Sequence, residues 1–171
     1  NDFNAVGNEY SSVNRDAIAD GDSMGRGTGA FLDVYNVNAG TIDDVVERLK
    51  QHDIVGFSSY VWNSNYNYTL AKKLKEANPN ILIVFGGPEP PIEKKDYYQK
   101  YPFIDLTVVR EGEITFKNLL EAFITGEDYK NVKGLVVNNN LVPINTGSTE
   151  RISDLGIVPS PYLSGLFNSI M

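Results

Sequence analysis

Cysteine is absent from the sequence, and histidine and tryptophan occur once each, as His52 and Trp62. Without thiols the chain holds no disulfide, no thiolate zinc site and no iron-sulfur cluster of its own. Any redox chemistry must come from another domain. Basic residues are scarce: 15 Lys and Arg face 22 Asp and Glu, for a formal net charge of -7. No cluster is dense enough to follow a phosphate backbone, so nucleic acid is not an expected partner. Apolar runs stay far short of the roughly 20 residues that span a bilayer, and NDFNAVGNEYSS lacks the charged-then-apolar order of a signal peptide. A cytoplasmic protein with no membrane partner is the expectation. GxGxxG, GxxxxGK[ST] and HExxH are all missing, which removes the motifs of the common nucleotide and metalloprotease sites.

What is present is enough apolar residue, 42% of 171, for one sizeable core. The first 30 residues are rich in Asn, Gly, Ser and Asp without helical or strand period, and read as a loop-rich arm. A first residue other than Met implies sequence missing upstream. From Gly29 the pattern changes. AFLDVYNV reads as a strand, and Thr41 with Asp44 forms a capping-box start for a helix carrying Ile42, Val45, Val46 and Leu49 on one face.

DIVGFSSYV follows as a nearly continuous apolar strand of the kind buried on both faces of a parallel sheet. A second helix has Leu70, Leu74 and Ala77 on one stripe and stops before Asn78 and Pro79. ILIVFGGP is a strand, a Pro-opened helix runs from about Ile92 to Tyr101, and LTVVR is the next strand. A fourth helix places Phe116, Leu119, Leu120, Phe123 and Ile124 inward and stops at Gly126.

This alternation predicts an α/β fold: a three-layer α/β/α, flavodoxin-like (Rossmann-like) parallel sheet of four or five strands. GLVVNNNLVPIN predicts an appended C-terminal β-hairpin around Asn138 to Asn140. The domain is expected over residues 31–150, with 151–171 as an extended exit segment containing Pro159 and Pro161.

Ligands of open α/β sheets bind at the carboxyl ends of the strands. Three loops there stand out. Ser58, Ser59, Tyr60, Val61, Trp62 and Asn63 offer hydroxyls, an amide and aromatic faces, although Tyr60 and Trp62 could equally pack under the next helix with the serines capping it. Gly86, Gly87, Pro88 and Glu89 form a turn whose missing Cβ atoms let a ligand lie on the main chain, or simply change direction. Arg110, Glu111, Gly112 and Glu113 precede a helix whose N-terminus favours carboxylates in any case. His52 falls at the opposite rim and reads as a solvated helix end, and Lys72, Lys73 and Lys75 as a solvated helix face. No catalytic residue and no metal ligand is expected from this chain.

In this order, DIVGFSSYVWN, ILIVFGGPEPP and IDLTVVREGEITF resemble the cobalamin-binding domain that precedes the catalytic barrel of B12-dependent radical SAM enzymes. The resemblance covers about Phe31 to Gly134, and SDLGIVPSPYLSGLF resembles the family's linker into the barrel. It implies a site for cobalamin over the three loops, with the nucleotide tail along Ser58, Ser59, Gly86 and Gly87 and the corrin on the strand tips. It also implies a radical SAM domain, in cis or in trans, holding the 4Fe-4S cluster and S-adenosylmethionine.

Two departures from the family pattern stand out. The family's last turn normally begins with Gly where this chain has Arg110. The Asp-x-His-x-x-Gly motif that supplies a histidine to cobalt in methionine synthase and the mutases is absent, since Lys50 and Val55 flank His52 at those spacings. The implied state is base-off cobalamin without a histidine ligand, serving methyl transfer or a related radical reaction. The competing expectation is a cobalamin-free docking domain of the same fold. A phosphate-receiver domain would need an aspartate where Ser58 and Ser59 stand. A small-molecule enzyme would have only Glu89, Glu111 and Glu113 as bases.

Overall fold

The computed structural model describes residues 41–90, 94, 96–154 and 163. The expected N-terminal arm, the AFLDVYNV strand and nearly all of the exit segment beyond 154 lie outside these residues. The elements in chain order are α1 (Ile42–Leu49), β1 (Ile54–Ser58), α2 (Ser64–Ala77), β2 (Leu82–Gly86), α3 (Tyr97–Lys100), β3 (Leu106–Val108), α4 (Glu113–Thr125), β4 (Leu135–Asn139) and β5 (Val142–Asn145). They build one α/β sheet in the order β1-β2-β3-β4-β5. β1, β2 and β3 are parallel, while β4 runs antiparallel to β3 and β5 antiparallel to β4. The hairpin is therefore appended along the β3 edge, as its sequence predicts.

Alternation within each strand divides the core in two. One face carries Val55, Phe57, Ile83, Phe85 and Val136 against α1, α2 and α3. There the rings of Tyr101, Tyr68, Phe85 and Phe57 stack in succession, with centroids 4.0, 5.2 and 4.8 Å apart. The other face carries Ile54, Val84, Leu106, Val108, Leu135 and Val137, and among the described residues α4 is the helix that covers it, through Phe116, Leu119, Leu120 and Phe123. α1 begins with the predicted capping box between Thr41 and Asp44, and α4 ends at Gly126 in the left-handed conformation. Among the described residues, no helix is long and apolar enough to cross a membrane.

Several local expectations are corrected. β1 is not buried on both faces: Gly56 and Ser58, with little or no side chain to fill the face beside Phe116 of α4, are exposed. Ala77 is exposed, and Ala71 takes its place in the α2 stripe because it sits nearer the sheet on the 3.6-residue period. The Pro-opened helix reduces to Tyr97–Lys100 among the described residues, and the LTVVR strand ends at Val108 because Arg110 turns left-handed, at φ 64°. His52 is buried, not solvated: the chain bends tightly after α1, with its N–H bonded to the Leu49 carbonyl. Lys75 leaves the solvated face to pair with both carboxylate oxygens of Asp105, at 2.9 and 2.8 Å. The hairpin turns through Asn140 and Leu141, both at positive φ, one residue later than the three asparagines suggest.

Candidate functional site

Parallel pairing brings the ends of β1, β2 and β3 to one rim of the sheet, so the three loops singled out from sequence meet there. The first two are joined through the main chain. The Ser59 N–H donates to the Gly86 carbonyl at 2.8 Å, and the Glu89 N–H donates to the Ser59 carbonyl at 3.3 Å. Gly87 lies between them at φ 92°, and a Cβ there would stand 2.5 Å from the Ser59 oxygen. The glycine is therefore needed by the turn itself. A large residue at 87 would disrupt both loops before it met a ligand, so a side chain there does not probe a ligand site alone.

The first loop is shaped by its own amides. Asn63 Oδ1 accepts from the Tyr60 N–H at 2.8 Å, its Nδ2 donates to the Ser58 carbonyl at 3.0 Å, and Asn67 Nδ2 donates to that same carbonyl at 3.1 Å. Asn63 is thus spent on the loop, and it makes no side-chain cap for α2. Neither Tyr60 nor Trp62 packs wholly under α2. Their rings stack on each other at 4.7 Å, and Val61 and Trp62 stand 82% and 66% exposed. The reason is geometric: with the loop tied inward by Asn63, its apolar side chains face out over the rim.

Ser59 is the opposite case. It is fully buried, and among the described residues its hydroxyl has no hydrogen-bond partner. A buried hydroxyl left unpaired costs about 1–3 kcal/mol, which marks the group as one that awaits a partner. On the other face of the sheet, by strand alternation, runs a strip without bulky side chains, made by Gly56 and Ser58 on β1 and Gly86 on β2, on the side that α4 partly covers. Phe116 borders it, 3.4 Å from where a Gly56 Cβ would lie, and Val108 borders it on the other side, 3.8 Å from a Gly86 Cβ. Sequence reasoning passed over Gly56 and Phe116. A lone glycine inside the apolar run DIVGF was the available signal, since such glycines mark close approach by another group.

In the second loop Pro88 is exposed, and the Glu89 carboxylate accepts from the Tyr68 hydroxyl at 2.8 Å. Burial, reinforced by that carboxylate, holds the Tyr68 phenol well above its ordinary range and so keeps it a donor. In the third loop Glu111 and Glu113 are exposed, and Gly112 packs on Val108. Glu111 accepts from the Ile152 N–H at 3.3 Å, which fastens the start of the exit segment to this rim. His52 precedes β1 at the other rim, so the five residues of that strand, at about 3.3 Å each, separate it from Ser58.

Comparison with known proteins gives the chain's family. The B12 binding domain family matches residues 12–120. Over 128 residues, 74% of the chain, the sequence is 31% identical to the cobalamin-dependent radical SAM methyltransferase TokK of Streptomyces tokunonensis, covering 19% of that protein. Identity is also 31% over 128 residues to the 2-(S-pantetheinyl)-carbapenam-3-carboxylate methyltransferase of Streptantibioticus cattleyicolor, again with 74% and 19% coverage. The chain thus spans about a fifth of the length of these relatives. Among solved structures, the cobalamin-dependent S-adenosylmethionine radical enzyme OxsB with aqua-cobalamin bound superposes with a TM-score of 0.59 at 21% identity, over 75% of this chain and 18% of that one. The methyltransferase TsrM from Kitasatospora setae, with cobalamin and an iron-sulfur cluster bound, gives 0.52 at 14% identity over 66% of this chain and 22% of that one. At such identities these two carry the fold.

Proposed function

Because this chain belongs to the B12 binding domain family, we propose that it holds cobalamin base-off and without a histidine ligand, on behalf of a radical SAM catalytic domain. The observation that carries the reading is the strip of Gly56, Ser58 and Gly86 at the carboxyl rim, where Phe116 and Val108 stand against the missing side chains, and next to it in the chain the buried Ser59 hydroxyl, unpartnered among the described residues. A nucleotide tail is long, flat and part polar. It needs a path without Cβ atoms and a donor or acceptor along it, and these residues fit both needs. When bound, the cofactor supplies a cobalt centre for methyl transfer or a related radical reaction.

The chain's own residues then bind, orient and cover. Ser59 and Ser58 hydrogen-bond the tail, and Gly86 leaves room for it. Gly87 and Glu89 keep the two loops in register. The half-buried Tyr60, stacked on the exposed Trp62, and Val61 would cover the lower face of the corrin by contact, since a neutral phenol and an indole are weak ligands. The placement of His52 supports the absence of an imidazole ligand from this chain. Glu111, with the Ile152 N–H on its carboxylate, supports residues 151–171 as a lead toward the catalytic domain. Substrate and reaction would belong to that domain.

The test is retention of colour. Mixed with hydroxocobalamin and desalted, the protein keeps a red-orange chromophore near one equivalent, and the emission of Trp62, the sole tryptophan, is quenched. Gly86→Leu removes both signals while the far-ultraviolet circular dichroism stays native, because a Cβ at 86 meets only Val108, at an ordinary 3.8 Å. The cob(II)alamin complex shows no axial-nitrogen superhyperfine splitting, with or without His52→Ala. Colour passing freely through the column would leave the cobalamin-free docking domain as the better reading.

A further inference from the structure

Arg110 is the sole cation in the three rim loops, whose other ionisable groups at residues 58–63, 86–89 and 110–113 are Tyr60 and the acids Glu89, Glu111 and Glu113. It is exposed, and it occupies φ 64°, a conformation that suits glycine and strains an arginine. The family pattern has glycine at this place, so this chain carries a charged side chain where the backbone would be more stable without one. Strain kept at a rim is a reason to ask what the side chain does there.

Its surroundings answer in part. The turn that carries Arg110 folds back on β3, with Gly112 against Val108, and Val108 in turn borders Gly86. Arg110 thus stands two residues along the chain from Val108, which lines one side of the strip. α4 starts directly after this turn with no side-chain cap on its first N–H groups, whereas α1 has its capping box. Among the described residues no carboxylate lies within ion-pair distance of Arg110.

We infer that Arg110 recognises the phosphodiester of the cobalamin nucleotide loop, with the uncapped start of α4 adding to the same positive field. This rests on the function proposed above. The side chains of the corrin ring are neutral amides, and the phosphodiester is the one anionic group of the tail. It is therefore the group that a lone guanidinium among carboxylates would select. Arg110 is on this account a specificity-determining residue: it favours corrinoids that carry the nucleotide over those that lack it.

The experiment compares hydroxocobalamin with dicyanocobinamide, which has no nucleotide and no phosphodiester, by quenching of Trp62 in the full 171-residue chain. Wild type is expected to bind cobalamin more tightly, and added salt is expected to weaken cobalamin but not cobinamide. Arg110→Gly suits the backbone and Arg110→Gln keeps length without charge. Both should weaken cobalamin about tenfold, leave cobinamide unchanged and abolish the salt dependence, while Arg151→Ala, on the neighbouring exit segment, should change neither ligand. Cobalamin affinity unchanged in both Arg110 variants, or both ligands weakened equally, overturns the inference while the cobalamin site stands. Wild type that binds neither corrinoid overturns the function itself, and this inference with it.

Discussion

The two rims of the sheet are built on different terms. At the amino rim polar groups are tied to one another: Lys75 bonds Asp105 and the Ile81 carbonyl, Asp105 accepts from the Ile83 N–H at 2.7 Å, and Asn78 and Asn138 donate to the Lys50 and Ile104 carbonyls. At the carboxyl rim the Ser59 hydroxyl has no partner among the described residues, α2 and α4 begin without side-chain caps, Arg110 and Gly87 sit at positive φ, and Val61 and Trp62 face solvent. The amino rim also has residues at positive φ, Asn140 and Leu141 of the hairpin turn, but its buried charge is paired, whereas the carboxyl rim leaves the Ser59 hydroxyl without a partner among the described residues. Natural folds break local rules where function requires it and offset the loss elsewhere.

The largest effect expected from breaking this division is at the amino rim. Asp105→Ala removes three hydrogen bonds at once, leaving the partly buried Lys75 with the Ile81 carbonyl but no carboxylate, and the Ile83 N–H without the Asp105 acceptor. The expected loss is about 2–3 kcal/mol in urea unfolding, with cobalamin affinity unchanged in the protein that remains folded. A comparable loss of affinity would mean that the two rims are coupled through the strands.

A smaller effect lies beneath the sheet, on the face that α2 and α3 close. The Tyr98 hydroxyl, fully buried, donates to the Val136 carbonyl at 2.7 Å and stands 3.0 Å from Thr107 Oγ1. Tyr98→Phe should cost about 1–2 kcal/mol. The pH dependence sharpens the point. Burial pushes the Tyr98 phenol up to about 12, above the ordinary 10, so from pH 10 upward the unfolded chain holds fewer protons than the folded one. The stability from this group is complete below pH 10 and is lost as pH rises through about 12. Tyr68 and Tyr97 are raised in the same direction by burial and steepen the loss. Alkaline titration of stability should fall less steeply in Tyr98→Phe than in wild type.

The difference between the rims also decides what could be read from sequence. Period and punctuation gave the amphipathic faces of α1 and of α4, except for Ile124, which is exposed at the end of α4, along with the cap at Thr41, the stop at Gly126 and most of the strand cores, because each depends on residues within one or two turns of chain. The three loops were legible as a set, since parallel strands must end together. What escaped depended on partners far away in sequence. Lys75 and Asp105 are 30 residues apart, and Tyr68 and Glu89 are 21 apart, so neither pair leaves a local trace. Asn63 looked like a ligand group because its type suits one, but the bend of its own loop claims both ends of its amide. Gly87 looked like a contact surface, and only the approach of the Ser59 carbonyl reveals it as a requirement of the turn.

Ser59→Ala gives the smallest change in stability and the most direct test of the contrast, because it should move two measurements in opposite directions. In the protein without cofactor, the hydroxyl is buried and unpaired, so its removal relieves a desolvation cost and should raise stability by about 1 kcal/mol. With cofactor, the same deletion removes a hydrogen bond to the nucleotide tail, and affinity should fall about fivefold to tenfold. A residue that served only the fold would behave the other way: truncation would lower stability and leave binding alone. Urea unfolding with and without hydroxocobalamin reads both quantities on one sample, since the cofactor stabilises the native state in proportion to its affinity. A Ser59→Ala protein less stable than wild type when free of cofactor would show that the hydroxyl already has a partner, and the carboxyl rim would lose its clearest mark of a binding site.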